Sequence, residues 1–287
     1  EVAGACVNCS TYIYDPQDFE KPSYKDYCSK AKLAEIDLNG NIIWYKNYGP
    51  IGGNSVFERA IQSSDDNYYA IGSVTYNGGI AYNPVVGDAG AILECDAAVL
   101  RNMYIVKTDH EGVLIKEATY GILDAAIDHM EKARTLGYDI IEGADGFIYV
   151  TGYCQKLKID GLTTTPSRVF VLKLNTSLEV IWKQEYLASD ELLSSGTSIL
   201  FQDVPTPALF VGSYQEYDAG FGSFVHLLKI NPSTGALINN YTIDNIVDAD
   251  IELGSSILEN RIYCTIQNMA FDVSNQYILM PLLINRK

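Results

Sequence analysis

Basic residues are scarce in this chain. Lys and Arg number 20 against 36 Asp and Glu, so 287 residues carry a formal net charge of −16. Nucleic acids and anionic membrane surfaces are held by a basic footprint, and this balance argues against both as partners. Histidine is scarcer still, with three scattered copies, His110, His129 and His226. Only one Cys-x-x-Cys pair occurs, Cys6 and Cys9, so no zinc ligand set of ordinary spacing is present. Long apolar runs are missing too. The longest, Tyr277–Ile284, is too short to span a bilayer, and no transmembrane segment is expected. Gly-x-Ser-x-Gly, a Walker loop and His-Glu-x-x-His are all absent, so three common enzyme classes lose support. No initiator Met or signal peptide precedes Glu1, which predicts a processed or excised chain.

What is present is a folding chain with a repeat. Hydrophobic residues make up 47% and charged residues 20%, enough apolar surface for a full core. Four segments share one pattern: Ala31–Gly49, Met103–Gly121, Val169–Leu187 and Val225–Ile243. Each is an apolar strand, an Asp- or Asn-led turn and a second strand. The turns open at Asp37, Asp109, Asn175 and Asn231, side chains that bond the backbone two residues on. Gly40, Gly112 and Gly235 supply positive φ there. Trp44 and Trp182, the only tryptophans, share one repeat position, and Tyr48, Tyr120 and Tyr186 share another. This matching predicts equivalent packing of the two tryptophans between neighbouring repeats.

A second hairpin type alternates with the first, at Arg59–Ser73, Asp139–Tyr153, Ser198–Tyr214 and Ser255–Gln267. Its β-branched and aromatic content favours strand. The repeat is thus four antiparallel strands, and tandem four-stranded units predict an all-β fold, a β-propeller. About five blades are expected, with four or six as the alternatives. Tyr277–Asn285 reads as one further strand of an unfinished repeat. Residues 1–30 form an N-terminal extension, disulfide-bonded or helping to close the ring, and 31–287 form the propeller. Disulfides are expected among Cys6, Cys9, Cys28 and Cys95, whereas Cys154 and Cys264 read as packed thiols.

The pattern apolar strand, Asp-x-x-Gly, apolar strand, Trp resembles the repeats of quinoprotein-like (PQQ-like) propellers. Trp44–Gly49 and Asp145–Gly152 also resemble secreted and surface propeller proteins of the Bacteroidota. The resemblance implies a fold and an extracytoplasmic setting (secreted, periplasmic or cell-surface, with an outer-membrane association). No position matches the cofactor or metal residues of true quinone enzymes, so it implies neither that cofactor nor dehydrogenase activity.

The connections are unequal. Turns within hairpins are tight, while those between hairpins are longer: 50–57, 76–102, 122–137, 155–167, 188–196, 215–223, 244–254 and 268–276. In a four-stranded blade these two classes leave from opposite faces, so one face collects the long loops, where binding residues gather. That face is acidic. Tyr76, Tyr82, Tyr214 and Tyr217 stand at its loop mouths, where Tyr beside carboxylates stacks on sugars or anchors protein. His129 and Arg134 lie in or beside one long connection, and Asp248 and Asp250 in another. The latter pair could hold calcium through hard oxygen ligands, but lacks the glycine and spacing of a calcium loop. Arg59 and Asp139 fall near the entry of the innermost strand, with Glu58 and Tyr138. The ten residues expected to bind a partner are therefore Arg59, Tyr76, Tyr82, His129, Arg134, Asp139, Tyr214, Tyr217, Asp248 and Asp250. No catalytic or metal residue is assigned, and no cofactor is expected. The functional expectation leans away from an enzyme. It is a binding or assembly module for a protein or glycan of the cell envelope, in a larger complex. The alternative is a lyase or glycosidase with its site at the channel mouth.

Overall fold

The computed structural model describes residues 30–49, 54–75, 101–121, 133–156, 167–187, 192–217, 223–243, 262–266, 269–271, 278–279 and 282–286. Eighteen strands and no helix occur among them. The chain divides into two compact halves, residues 1–136 and 137–287.

The first half opens with a two-stranded antiparallel sheet, β1 (Ala31–Ile36) and β2 (Ile42–Tyr48). A four-stranded antiparallel meander follows: β3 (Asn54–Gln62), β4 (Tyr68–Thr75), β5 (Arg101–Thr108) and β6 (Leu114–Tyr120). The second half contains two more such meanders. One is β7 (Ala133–Glu142), whose first residues belong to the preceding half, with β8 (Ile148–Lys156), β9 (Arg168–Leu174) and β10 (Val180–Tyr186). The other is β11 (Leu192–Gln202), β12 (Ala208–Tyr217), β13 (Ser223–Ile230) and β14 (Leu237–Ile243). The repeat read from sequence is therefore real at the level of four-stranded antiparallel sheets.

The last segment departs from expectation. Tyr277–Asn285 is not one strand. It supplies β17 (Ile278–Leu279), paired with β16 (Ala270–Phe271), and β18 (Leu282–Arg286), paired with β15 (Ile262–Ile266). Pro281 stands between the two pieces and has no N–H to give a ladder. The first strand expected in Ser255–Gln267 and the N-terminal extension lie outside the described residues.

Turn chemistry sets the hairpins. Asp37 Oδ1 accepts from the N–H groups of Asn39 and Asn41, and Asp109 Oδ1 from those of Glu111 and Val113. Asn175 and Asn231 do the same in their turns. The left-handed position that closes each loop is Gly40, Gly112 or Gly235, but Leu178 takes it at φ 59° in the β9–β10 turn.

Strand sequence then sets burial. The third strand of the meander is buried along nearly its whole length: Met103–Thr108 of β5 and Val169–Leu174 of β9. Consecutive buried residues mean that both faces are covered. The fourth strands expose their first residues. Two cores result. In the first half, Leu33 and Tyr48 of the small sheet meet Phe57, Tyr68, Tyr104 and Val106 of the meander. In the second half, Tyr149, Val171 and Tyr186 of one meander meet Ile199, Leu209 and Leu228 of the next. Each fully buried aliphatic side chain here contributes about 1.5–3 kcal/mol.

Candidate functional site

The pairing registers put both tight turns of a meander at one end. Gln62 faces Tyr68, Tyr68 faces Thr108, and Thr108 faces Leu114. The long connections leave from the opposite end, where Thr75 faces Arg101 and Leu192 faces Tyr217.

The tight-turn end is occupied by bonds between neighbouring sheets. Trp44 lies against the β5–β6 turn, its Nε1 donating to Glu35 (2.7 Å) and to the carbonyl of His110 (3.1 Å). Tyr48 Oη donates to the carbonyl of Gly112 at 2.7 Å. In the second half, Trp182 Nε1 donates to the Pro232 carbonyl at 3.1 Å and Tyr186 Oη to the Gly235 carbonyl at 2.6 Å. A Cβ on Gly112 would stand 2.6 Å from the Trp44 ring, and one on Gly235 3.0 Å from that of Trp182. These glycines thus serve both the positive φ and the approach of the ring. Burial, with the Asp109 charge nearby, pushes the Tyr48 hydroxyl up to about 12, and burial raises Tyr186 as well.

Two buried lysines reinforce the same end. Lys107 Nζ meets Asp65 at 2.9 Å and lies over the Tyr69 ring. Lys173 Nζ meets Asp145 at 2.9 Å and lies over Phe147 and Tyr149. Burial acts to raise the Asp65 carboxyl, but hydrogen bonds from Ser63, Lys107 and Asn67 outweigh it and hold the group far below the usual carboxylate range. Sequence reasoning missed these pairs. Their signal was available: an acid in the first tight turn and a lysine at one repeat position inside an otherwise apolar strand.

The opposite end has its own stitch. Ser55 Oγ accepts from the Ala31 N–H and donates to the Tyr48 carbonyl. Ser194 Oγ donates to the Leu187 carbonyl, while its N–H reaches Ser167.

Of the expected binding residues, Tyr76, Tyr82, His129, Asp248 and Asp250 lie outside the described residues. Arg134 and Tyr217 fall at strand ends on the long-connection side, by their backbone positions at the start of β7 and the end of β12. Tyr214 is half-buried within β12, its Cα paired with those of Ser195 and Val225. Asp139 is 5% exposed and builds structure: Oδ2 accepts from the Ile199 N–H at 2.9 Å, joining β7 to β11. Arg59 is exposed on β3, just past a register shift. Its neighbour Glu58 is raised by partial desolvation, against the opposing charge of Arg101. Arg101 also pairs by Cα with Arg134 in a one-residue parallel bridge. The structure thus brings Glu58 near Arg101, whose Cα pairs with that of Arg134, while Arg59 lies farther along β3 opposite Ile71 and Asp139 holds the Ile199 N–H.

Among the described residues no group of three His, Cys, Asp or Glu is arranged to hold a metal. Cys154 is buried, whereas Cys6, Cys9, Cys28 and Cys95 lie outside the described residues. No helix among the described residues is long and apolar enough to cross a membrane. No protein-family model matches the chain, and no curated protein matches it either.

Proposed function

We propose that the chain is a β-propeller with quinoprotein-like repeats. It acts as a non-catalytic binding or assembly module for a protein or glycan of the cell envelope, outside the cytoplasm. The partner docks on the end bearing the long connections. The observation that carries this reading is the division of labour between the two ends. Turn carbonyls, both tryptophans and Lys173 hold neighbouring sheets together at the tight-turn end, where Lys107 and Lys173 also each brace their own meander through Asp65 and Asp145. The other end begins with exposed Arg101, opposite Thr75, and continues into long acidic connections. Variable loops on a rigid scaffold are where recognition residues are placed.

Charge reversal tests it. The full chain is assayed on an array of acidic, basic and neutral glycans and of cationic peptides. Asp248→Lys with Asp250→Lys is expected to change binding at least tenfold, and Glu111→Lys on the tight-turn end to leave it unchanged. Asp65 is unsuited to the control because its carboxylate holds Lys107. An acidic docking face also makes capture of a basic partner weaken as salt rises. Sensitivity confined to the Glu111 end would sink the reading.

A lyase or glycosidase draws on Glu58, whose raised carboxyl is what a general acid requires. That chemistry needs a second carboxylate at a defined distance, and Asp139 is already committed to the Ile199 N–H. Hydrolysis of an acidic glycan that Glu58→Gln abolishes would favour it.

A further inference from the structure

The Asx-led turns of the repeat differ in the residue that stands before the left-handed position. It is Asn39 before Gly40, Glu111 before Gly112, Ser177 before Leu178 and Thr234 before Gly235. The first alone places a side-chain amide beside a glycine nitrogen, and no other Asn precedes a glycine among the described residues. The pair also sits in an open turn. Leu38 is 93% exposed, and Asn39, Gly40 and Asn41 are exposed with it. No heavy atom lies within 4 Å of where a Gly40 Cβ would stand, whereas the Trp44 ring covers Gly112 and the Trp182 ring covers Gly235. Two turns are thus clamped by a tryptophan ring, and the β1–β2 turn carries no such clamp among the described residues.

This arrangement lays Asn39 open to its own backbone. In the closed turn the Gly40 N–H donates to the Asp37 carbonyl at 3.0 Å, and Asp37 Oδ1 accepts from the N–H groups of Asn39 and Asn41. Exposed turn tips open locally at little free-energy cost. Once the bond to Asp37 breaks, the wide conformational range of glycine lets its nitrogen swing toward Asn39 Cγ. A bond forms between Gly40 N and Asn39 Cγ, the Cγ–Nδ2 bond breaks, and the Gly40 proton leaves with Nδ2 as ammonia. The product is a cyclic succinimide. Water opens it at either carbonyl and returns a proton to the Gly40 nitrogen. Opening at Cγ gives aspartate in the ordinary chain, and opening at the main-chain carbonyl gives isoaspartate, with the backbone running through Cβ and Cγ. No oxidant, metal or second enzyme enters the balance. Asp145–Gly146 is the contrasting pair: its carboxylate is held by Lys173 at 2.9 Å and Tyr149 Oη at 2.6 Å, and it has no amine to lose.

We infer that Asn39–Gly40 is a self-modifying site, at which the folded chain converts with time to isoaspartate and loosens its first hairpin. The change acts in two ways. It adds a carboxylate beside Asp37, in a chain already at −16. It also inserts one carbon into the backbone between residues 39 and 40, which carries the Asn41 N–H off Asp37 Oδ1. Pairing starts directly beyond the turn, with Ile36 opposite Ile42 and Glu35 opposite Trp44. Trp44 is the ring seated on the His110 carbonyl, so the loosened turn reaches the contact between sheets. The inference concerns the tight-turn end and is independent of the reading proposed for the long connections.

Site-resolved peptide mass spectrometry of the intact chain, incubated at mildly alkaline pH, tests this. Residue 39 is expected to gain one mass unit, with isoaspartate exceeding aspartate. Conversion should quicken as pH rises, because the attacking nitrogen must lose its proton. Asn41, Asn175 and Asn240 should stay intact over the same time. The other Asn–Gly pair of the sequence, Asn77–Gly78, lies outside the described residues, so melting is compared in an Asn77→Gln background. There the aged chain should melt below the fresh one, and below Asn39→Asp, which adds the charge without the extra carbon. Asn39→Gln should prevent both the mass change and the loss. Residue 39 left intact when the urea-unfolded chain has fully converted overturns the inference, since the fold then protects the turn. So does an aged chain that melts like the fresh one or like Asn39→Asp, or a loss that Asn39→Gln does not prevent.

Discussion

The two halves solve one packing problem with different chemistry. In the first, Trp44 shares its N–H between the His110 carbonyl and Glu35. In the second, Trp182 has only a carbonyl, that of Pro232. Lys173 accounts for the difference. It stands at the repeat position held by Glu35 and itself donates to the Pro232 carbonyl at 3.2 Å. The side chains differ, but the acceptor on the following turn is backbone in both halves. Neither β6 nor β14 has the tryptophan; Lys116 and Asn239 take its place. The lock therefore joins alternate neighbours, and the recurring module is a Trp-bearing hairpin seated on a glycine-turn hairpin.

Removing the rings should perturb that comparison most. Trp44→Ala and Trp182→Ala are each expected to cost about 3 kcal/mol, the low end for a large aromatic because both rings are only partly buried. Thermal melting of each variant checks this, and two losses more than twofold apart would break the equivalence of the halves. Adding one methyl to the socket comes next. Gly112→Ala and Gly235→Ala meet both positive φ and a tryptophan ring, and should cost about 2 kcal/mol. Gly40→Ala meets positive φ with open space around it, and should cost about 1 kcal/mol. Equal losses at all three would mean that the ring contact contributes nothing.

The ion pairs sharpen the comparison through pH. Asp65 titrates lower in the folded chain than in the unfolded one. Its stabilisation is complete above the unfolded pKa, near 4, and is lost as pH falls through the folded value. Asp65→Asn should cost about 1–2 kcal/mol at pH 7, discounted because the carboxylate is 37% exposed. The gap in melting temperature from the parent should close between pH 5 and pH 2. A gap that stays constant over that range would assign the loss to shape and not to charge. Smallest are Tyr48→Phe and Tyr186→Phe, each removing one hydroxyl bond to a turn carbonyl, about 1 kcal/mol by denaturant titration.

Much of this architecture was legible in the chain, because local chemistry and the repeat agree. Asp37, Asp109, Asn175 and Asn231 announce turns whose bonds are indeed formed. The shared position of Trp44 and Trp182 foretold packing against a neighbouring hairpin, which both do. Legibility failed where a residue's role depends on a partner far along the chain. Asp139 looks like any polar residue at a strand entry until Ile199, sixty positions away, is seen to donate to it. Leu178 gives no sign of a left-handed conformation, since only the neighbouring repeats hold glycine there. The long connections carry no periodicity to read, and the expected contact residues Tyr76, Tyr82, His129, Asp248 and Asp250 sit in them.

Because the tryptophans and tyrosines read carbonyl oxygens, the side chains of the receiving turns are left out of the recognition. Glu111, Ser233 and Thr234 are exposed within those turns. Such positions tolerate drift: a turn that keeps its Asx residue and its glycine can change its remaining letters without loosening the seat. Hairpins of this type are therefore interchangeable parts, able to be duplicated or exchanged between chains while the neighbour's anchor still finds an acceptor.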